Sequence, residues 1–171
     1  MIKIRTASPD DAPLIADLSR ETFYETFAQD NTKENMDKFL ELQFTREVLL
    51  KEVGAPDNIF LLAYDGDDVV GYARVRENNN PPSLGTNDAI EIARIYARKT
   101  SIGKGVGKAL MQACIDIAIK KKRKFAWLGV WEKNLRAFNF YESWGFEKFD
   151  EQPFQLGDDM QTDWLMKKKI F

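Results

Sequence analysis

At 171 residues, 44% hydrophobic and 30% charged, the chain has the length and apolar content of one ordinary globular domain with a buried core. It has no histidine and a single cysteine, Cys114, which excludes His-based triads and an intrachain disulfide and argues against zinc or any other metal. Net charge is −2 but uneven: residues 1–97 carry 10 basic and 18 acidic side chains, whereas residues 98–136 carry 11 and 2.

The opening residues, MIKIRTASPDDAPLI, lack the apolar core of a signal peptide, and no later apolar run reaches membrane length. A cytoplasmic protein with no membrane partner is expected. IKIRTAS alternates as a strand does; Ser8-Pro9-Asp10-Asp11 then offers an N-cap residue, a proline at the first helical position and an acid three residues on. The helix that follows is expected to reach about Ala28, with Leu14, Leu18, Phe23 and Phe27 toward one side. NTKENMDKFLELQF and TREVLLKEVG read as further helical pieces, with Met36, Phe39 and Leu40 facing inward. NIFLLAY, DGDD and VVGYARV form a strand–turn–strand hairpin, ENNNPPSLGTND a loop and AIEIARIYAR a strand. From Val106 an apolar stripe at helical spacing runs through Leu110, Cys114 and Ile117. The basic run KKKRK sits at the end of that helix, where cations complement the dipole; without interleaved aromatics it does not indicate nucleic acid. FAWLGV reads as a buried strand, NLRAFNFYESW as a helix stopped by Gly145, and DWLMKKKI as a last strand. Together these predict one α+β domain over residues 1–171.

The most legible chemistry lies in TSIGKGVGKALM, Thr100 to Met111. A triphosphate loop of the form G-x-x-x-x-G-K-[ST] would put its first glycine at Ile102 and its magnesium-binding hydroxyl at Ala109, so that reading fails twice. A dinucleotide G-x-G-x-x-G begun at Gly103 ends on Lys108, and begun at Gly105 ends on Leu110; it fails too. What remains is a strand and a glycine turn leading straight into a helix. The N–H groups of Gly103, Lys104, Gly105, Val106, Gly107 and Lys108 could then converge on one anion without metal. A helix-start turn with no ligand is the competing reading.

A second motif lies downstream. NLRAFNFYESWGF has the form N-x-x-A-x-x-x-Y-x-x-x-G-F, with Asn134, Ala137 and Tyr141 on one helical face. Glycine loop and helix, in this order, resemble the GNAT family of acetyl-CoA-dependent N-acetyltransferases, over essentially the whole chain. The stretches ETFYETFAQDNTKENMDKFLE, EIARIYA, WLGVWEKN and GDDMQTDWLM are similar to the PaiA-type branch, which acetylates spermidine and spermine.

The resemblance implies a mostly antiparallel sheet, splayed between its fourth and fifth strands, with helices on both faces and a strand pair at the end. It implies acetyl-CoA as cosubstrate. The backbone of Ile95, Tyr96 and Ala97 would bond pantetheine, the loop to Lys108 would hold the pyrophosphate, and Asn134 would bond the pantetheine arm. Tyr141 would lie by the sulfur and protonate the departing thiolate; an ordinary phenol, with pKa about 10, suits that task. One position departs from the family pattern: Ile102 stands where a Gln or Arg usually begins the loop.

The acceptor must arrive neutral, and an alkyl ammonium of pKa about 10.4 is only about 0.04% neutral at pH 7, a deficit of about 4.6 kcal/mol. Glu91 stands where some family members place a base; strict alternation would put it on the face of Ala93, Ile95 and Ala97. A salt-bridged strand-end glutamate and deprotonation through water compete with that role. Phe23, Tyr24, Phe27 and Trp131 are candidates for the acceptor wall, with core packing as the alternative. Cys114, on the apolar stripe, reads as core. The expected partner is a small amine, a polyamine by the branch resemblance and by the acidic first half of the chain. Open alternatives are a protein N-terminus, a lysine side chain, an amine antibiotic, or a non-catalytic sensor of acetyl-CoA or polyamine. Family members are often dimers, which leaves a homodimer as an open expectation.

Overall fold

A computed structural model describes all 171 residues. The first strand, β1 (Ile2–Thr6), leads into a short turn of 3₁₀ helix over Pro9–Asp11, where the Asp11 carboxylate accepts from the Ser8 N–H at 2.8 Å. Helix α1 (Ala12–Phe27) follows, then α2 (Lys33–Lys38) and α3 (Arg46–Glu52). Thr32 and Thr45 cap the two short helices, each hydroxyl accepting an N–H at 3.2 Å. Between them, Phe39–Gln43 widens into a π turn closed by Phe44 N–H on the Phe39 carbonyl at 2.9 Å. The turn brings the rings of Phe39 and Phe44 together, with centroids 5.3 Å apart. Arg20 satisfies the end of the turn, donating to the carbonyls of Leu40 and Phe44.

Strands β2 (Asn58–Asp65), β3 (Asp68–Arg76) and β4 (Ala89–Ala97) form an antiparallel meander. Helix α4 (Val106–Lys120), β5 (Phe125–Trp131), α5 (Leu135–Ser143) and the hairpin of β6 (Glu147–Leu156) and β7 (Asp159–Lys169) complete the chain. Read from its residues alone, the tail offers one strand. The structure makes it a pair, with Pro153 in β6 at the sheet edge, where a missing N–H is tolerated. The seven strands run in the order β1-β2-β3-β4-β5-β7-β6, antiparallel except where β4 meets β5.

Helix α4 buries Leu110, Met111, Cys114 and Ala118 against one face of the sheet, and α1 buries Ile15 and Leu18 against the other. Phe23, Met36, Phe39, Phe44, Leu49 and Leu156 build a second cluster that ties α1, α2 and α3 to the β6–β7 hairpin. In the basic run, Lys121 and Arg123 pair with Glu77 at 3.2 and 2.8 Å, so part of it serves the fold. No helix is long and apolar enough to cross a membrane.

One glycine controls how closely β3 and β4 approach the start of α4. A Cβ on Gly71 would lie 2.6 Å from the Tyr96 carbonyl oxygen and 2.8 Å from Val106 Cγ1. Backbone cannot swing aside as a side-chain tip can. Gly71→Ala is therefore expected to cost about 1–3 kcal/mol, a fall in Tm of roughly 3–10 °C, read in a thermal melt.

Candidate active site

The β4–β5 pairing covers only Ala89 with Phe125, Ile90 with Ala126 and Glu91 with Trp127. Beyond Glu91 the two strands part while β4 stays bonded to β3 as far as Ala97. The splay is where the family resemblance puts it. A cleft of about 790 Å³ fills the opening and runs from the glycine loop to the aromatic cluster beneath α1.

The β4 edge of this gap carries unused backbone groups. Arg98 N–H donates to the Val70 carbonyl at 2.8 Å. Alternation then turns Tyr96 toward β3 as well, and turns the N–H and C=O of Ile95 and Ala97 into the gap. Of the three residues expected to bond through backbone, two present it to the cleft. Tyr96 presents its side chain instead.

At the other end, Gly103 and Gly105 adopt φ of +84° and +86°, which glycine reaches without strain. Helix α4 starts at Val106, and its first internal bond is Ala109 N–H to the Gly105 carbonyl at 3.0 Å. The N–H groups of Gly103, Gly105, Val106, Gly107 and Lys108 find no acceptor within the chain backbone. Lys104 is different: its N–H closes on the Ser101 carbonyl at 3.3 Å and its side chain is exposed, so it drops out of the predicted cradle. Lys108 and Arg136 bring two cations to the same end. Ile102 lines the cleft and is 41% exposed, an apolar side chain at the rim. Five convergent donors at a positive helix end, flanked by two cations, fit a pyrophosphate; the free edge of Ile95 and Ala97 fits an amide-bearing arm.

Helix α5 brings the second motif to the gap. Asn134 is its N-cap, with Oδ1 accepting Ala137 N–H at 3.3 Å, so the side chain has a structural task besides lining the cleft. Tyr141 is 8% exposed and packs on Phe140 and Phe146. Burial, reinforced by nearby Cys114, holds its pKa well above the usual phenol range. Its hydroxyl therefore stays protonated, and the thiol-matched acidity expected of an ordinary phenol is lost. Cys114 is itself core, its thiol pushed up to about 12 by burial.

On the opposite side, Phe23, Phe27 and Trp131 line the cleft. Phe27 meets Tyr96 and Trp131 edge-on, with centroids 6.4 and 6.0 Å away. Tyr24 is 48% exposed and outside the cleft, because one step along α1 from Phe23 turns it about 100° away.

Glu91 is not brought to the cleft. Its carboxylate accepts from Arg76 Nε and Nη2 at 2.8 and 3.0 Å and from Asn79 Nδ2 at 2.9 Å. The expected face is also corrected. Arg74 pairs with Arg94 and Val75 with Ile92, so Ala93 is an extra residue that breaks the alternation. Glu91 shares its face with Arg94 and Tyr96, and Ile95 and Ala97 point the other way. The carboxylate that does line the cleft is Asp163 of β7, a residue the sequence reading did not single out. Burial alone pushes it up to about 6. Its signal was period two: Asp163 stands two residues before buried Leu165, on the same strand face. No group of three or more His, Cys, Asp or Glu side chains is arranged to hold a metal ion.

A sheet splayed between β4 and β5, with free N–H groups at one end of the gap and Tyr141 lining it, fits an acyl-CoA-dependent transferase, and residues 15–146 match the Acetyltransferase (GNAT) family. The chain belongs to that family: it is an N-acetyltransferase with acetyl-CoA as cosubstrate. It is 38% identical, over 99% of its length and 98% of the relative's, to an uncharacterized N-acetyltransferase of Lactobacillus delbrueckii subsp. lactis. It is 26% identical, over 98% of its length and 97% of the relative's, to the spermidine N(1)-acetyltransferase of Thermoplasma acidophilum. Its fold is similar to that of the Thermoplasma acidophilum PaiA N-acetyltransferase in complex with coenzyme A, with a TM-score of 0.77, 24% identity and 99% of both chains covered.

Proposed function

We propose that the protein moves the acetyl group of acetyl-CoA directly to a primary amine, and that the amine is a polyamine such as spermidine or spermine. The observation that carries the transfer is the parting of β4 from β5, with five free N–H groups at one end of the gap and the Tyr141 hydroxyl at its side. Acetyl-CoA supplies the activated thioester. The loop from Gly103 to Lys108, without Lys104, holds the pyrophosphate; Ile95 and Ala97 hold the pantetheine amides; Asn134 lines the same arm. Tyr141 donates a hydrogen bond to the sulfur as negative charge develops there. With its pKa above the usual range, it stabilises the thiolate as a fixed donor, and any proton it gives is replaced from the reacting nitrogen.

The polyamine acceptor is supported by the Thermoplasma relative and by the acidic residues 1–97. One observation favours a second acceptor class: Asp163 is the one acidic side chain lining the cleft, and a single ammonium satisfies it. The test is release of CoA from acetyl-CoA with a panel of spermidine, spermine and simple monoamines. Turnover with spermidine above the monoamines is expected; preference for monoamines overturns the polyamine assignment. Binding of acetyl-CoA with no release by any of these amines overturns the small-amine assignment altogether.

A further inference from the structure

Four carboxylates in sheltered positions of this protein hold a cation of the chain, and Glu25 accepts the Lys99 N–H at 3.2 Å. Asp11 pairs with Arg5, Glu52 with Arg74 and Arg94, Glu77 with Lys121 and Arg123, and Glu91 with Arg76. Asp163 does not: burial is the sole influence on its carboxyl, with no cation or hydrogen-bond donor of the chain acting on it. A half-buried carboxylate with no partner still carries a desolvation cost, and proteins rarely keep one without a use.

Its position shows what could reach it. Asp163 sits in register with Trp131 on β5 and Gln152 on β6, on the sheet face that α1 covers. A Cβ at Gly129 would lie 3.8 Å from Asp163 Oδ2 and 3.9 Å from Gln152 Nε2, so the bare glycine leaves the carboxylate open to the cleft. The Tyr96 hydroxyl lies within electrostatic reach of both Asp163 and Tyr141. Strands β4 and β7 and helix α5 thus each present one of these residues, Tyr96, Asp163 and Tyr141, to the same cleft. The other ionisable side chains lining the cleft are Lys108 and Arg136 at the loop end and Arg94, which Glu52 holds at 2.9 Å. Phe27 and Trp131 add rings whose faces attract cations.

We propose that Asp163 receives the acceptor: its carboxylate holds the incoming ammonium and takes a proton from the nitrogen. This rests on the amine-acetylation reading above and supplies the base that Glu91, already paired, does not. One nitrogen proton passes to Asp163 and the lone pair attacks the thioester carbonyl carbon. The C–N bond forms, the C–S bond breaks and its electron pair stays on sulfur. A second nitrogen proton reaches sulfur by way of the Tyr141 hydroxyl, and Asp163 returns its proton to water. A carboxyl titrating at about 6 is ionised at neutral pH and sits near the operating range of a general base.

The test compares Asp163→Asn with wild type across the same amine panel from pH 6 to pH 10. For every amine that wild type uses, kcat/KM at pH 7 is expected to fall by roughly 100-fold or more, and the loss to shrink toward pH 10, where free amine is plentiful. The dissociation constant for acetyl-CoA should not move. A stability readout is independent of turnover: with the folded carboxyl raised above its unfolded value, its penalty is present above pH 6 and fades as pH falls through it. The Asn variant should therefore melt higher than wild type at pH 7.5, and the difference should shrink as pH falls through about 6 and close only below the unfolded carboxyl's pKa of about 3.9. A loss equal at all pH values, no loss, or an Asn variant that melts lower at pH 7.5 overturns the proposal. Spermidine inert while a monoamine shows the predicted loss would overturn the polyamine assignment and leave Asp163 standing. A wild type that uses no amine overturns both.

Discussion

Replacing Tyr141 by Phe is expected to lower kcat by about 100-fold or more, with the dissociation constant of acetyl-CoA unchanged. The ring is held by Phe140 and Phe146, and phenylalanine keeps both contacts, so the substitution removes one hydroxyl from an intact wall. That hydroxyl is bonded to no donor or acceptor of the chain, and its removal leaves no orphaned partner behind. Stability should hold, since the hydroxyl faces the cleft and its loss strands no partner. The effect should fall on kcat because the bond to sulfur strengthens only as charge collects there. Pre-steady-state mixing separates the cases: a slow chemical step with normal binding is expected, and an unchanged kcat removes Tyr141 from the reaction.

Glu52→Gln is expected to be the most destabilising single change, costing about 3–5 kcal/mol and at least about 6 °C in Tm. Glu52 accepts from both guanidinium nitrogens of Arg94 at 2.9 Å and meets Arg74 at 2.5 Å, with all three side chains no more than 16% exposed. One carboxylate serves two buried cations. Burial and the Arg94 charge already push the Arg74 guanidinium down to about 10, a sign that the pair is only just compensated. Glutamine keeps the shape and removes the only negative charge of the cluster, stranding both guanidiniums. The damage should reach the site as well. Arg94 lines the cleft and lies 4.8 Å over the ring of Phe44, and Glu52 is the last residue of α3, so the link between α3 and the sheet goes with the charge. A denaturant melt checks it; a loss under about 1 kcal/mol would mean that water takes over the role of Glu52.

The backbone geometry of the glycine loop and of α5 is largely legible in the sequence. Positive φ at Gly103 and Gly105, a helix beginning at Val106 and a face of Asn134 and Tyr141 follow from local rules: glycine permissiveness, helix-end polarity and the 3.6-residue period. The acceptor half of the site is not, because it depends on register and on neighbours distant in the chain. Strict alternation puts Glu91 on the face of Ile95 and Ala97, but an extra residue at Ala93 reverses the face of everything beyond it. Such a bulge is set by the pairing of β3 with β4 and leaves no mark in EIARIYA. Tyr24 and Phe27 look alike beside Phe23 until the turn of α1 separates them. Asp163 is one acid in DWLMKKKI, and its place in the cleft follows from three things no local pattern contains: Trp131 beside it, Gly129 open above it and α1 across the face. Spacing alone groups Lys104 with its neighbours, yet the turn that shapes the loop consumes its N–H.

The central claim is that the gap between β4 and β5 is the seat of acetyl-CoA. Backbone amide resonances recorded during titration with coenzyme A test it most directly. The amides of Gly103, Gly105, Val106, Gly107 and Lys108 should shift together with Ile95 and Ala97, while those of Gly66 and Gly157, in the hairpin turns, should stay still. Saturable binding that leaves the five loop amides and the free edge of β4 unmoved, or that moves the turns instead, would contradict it.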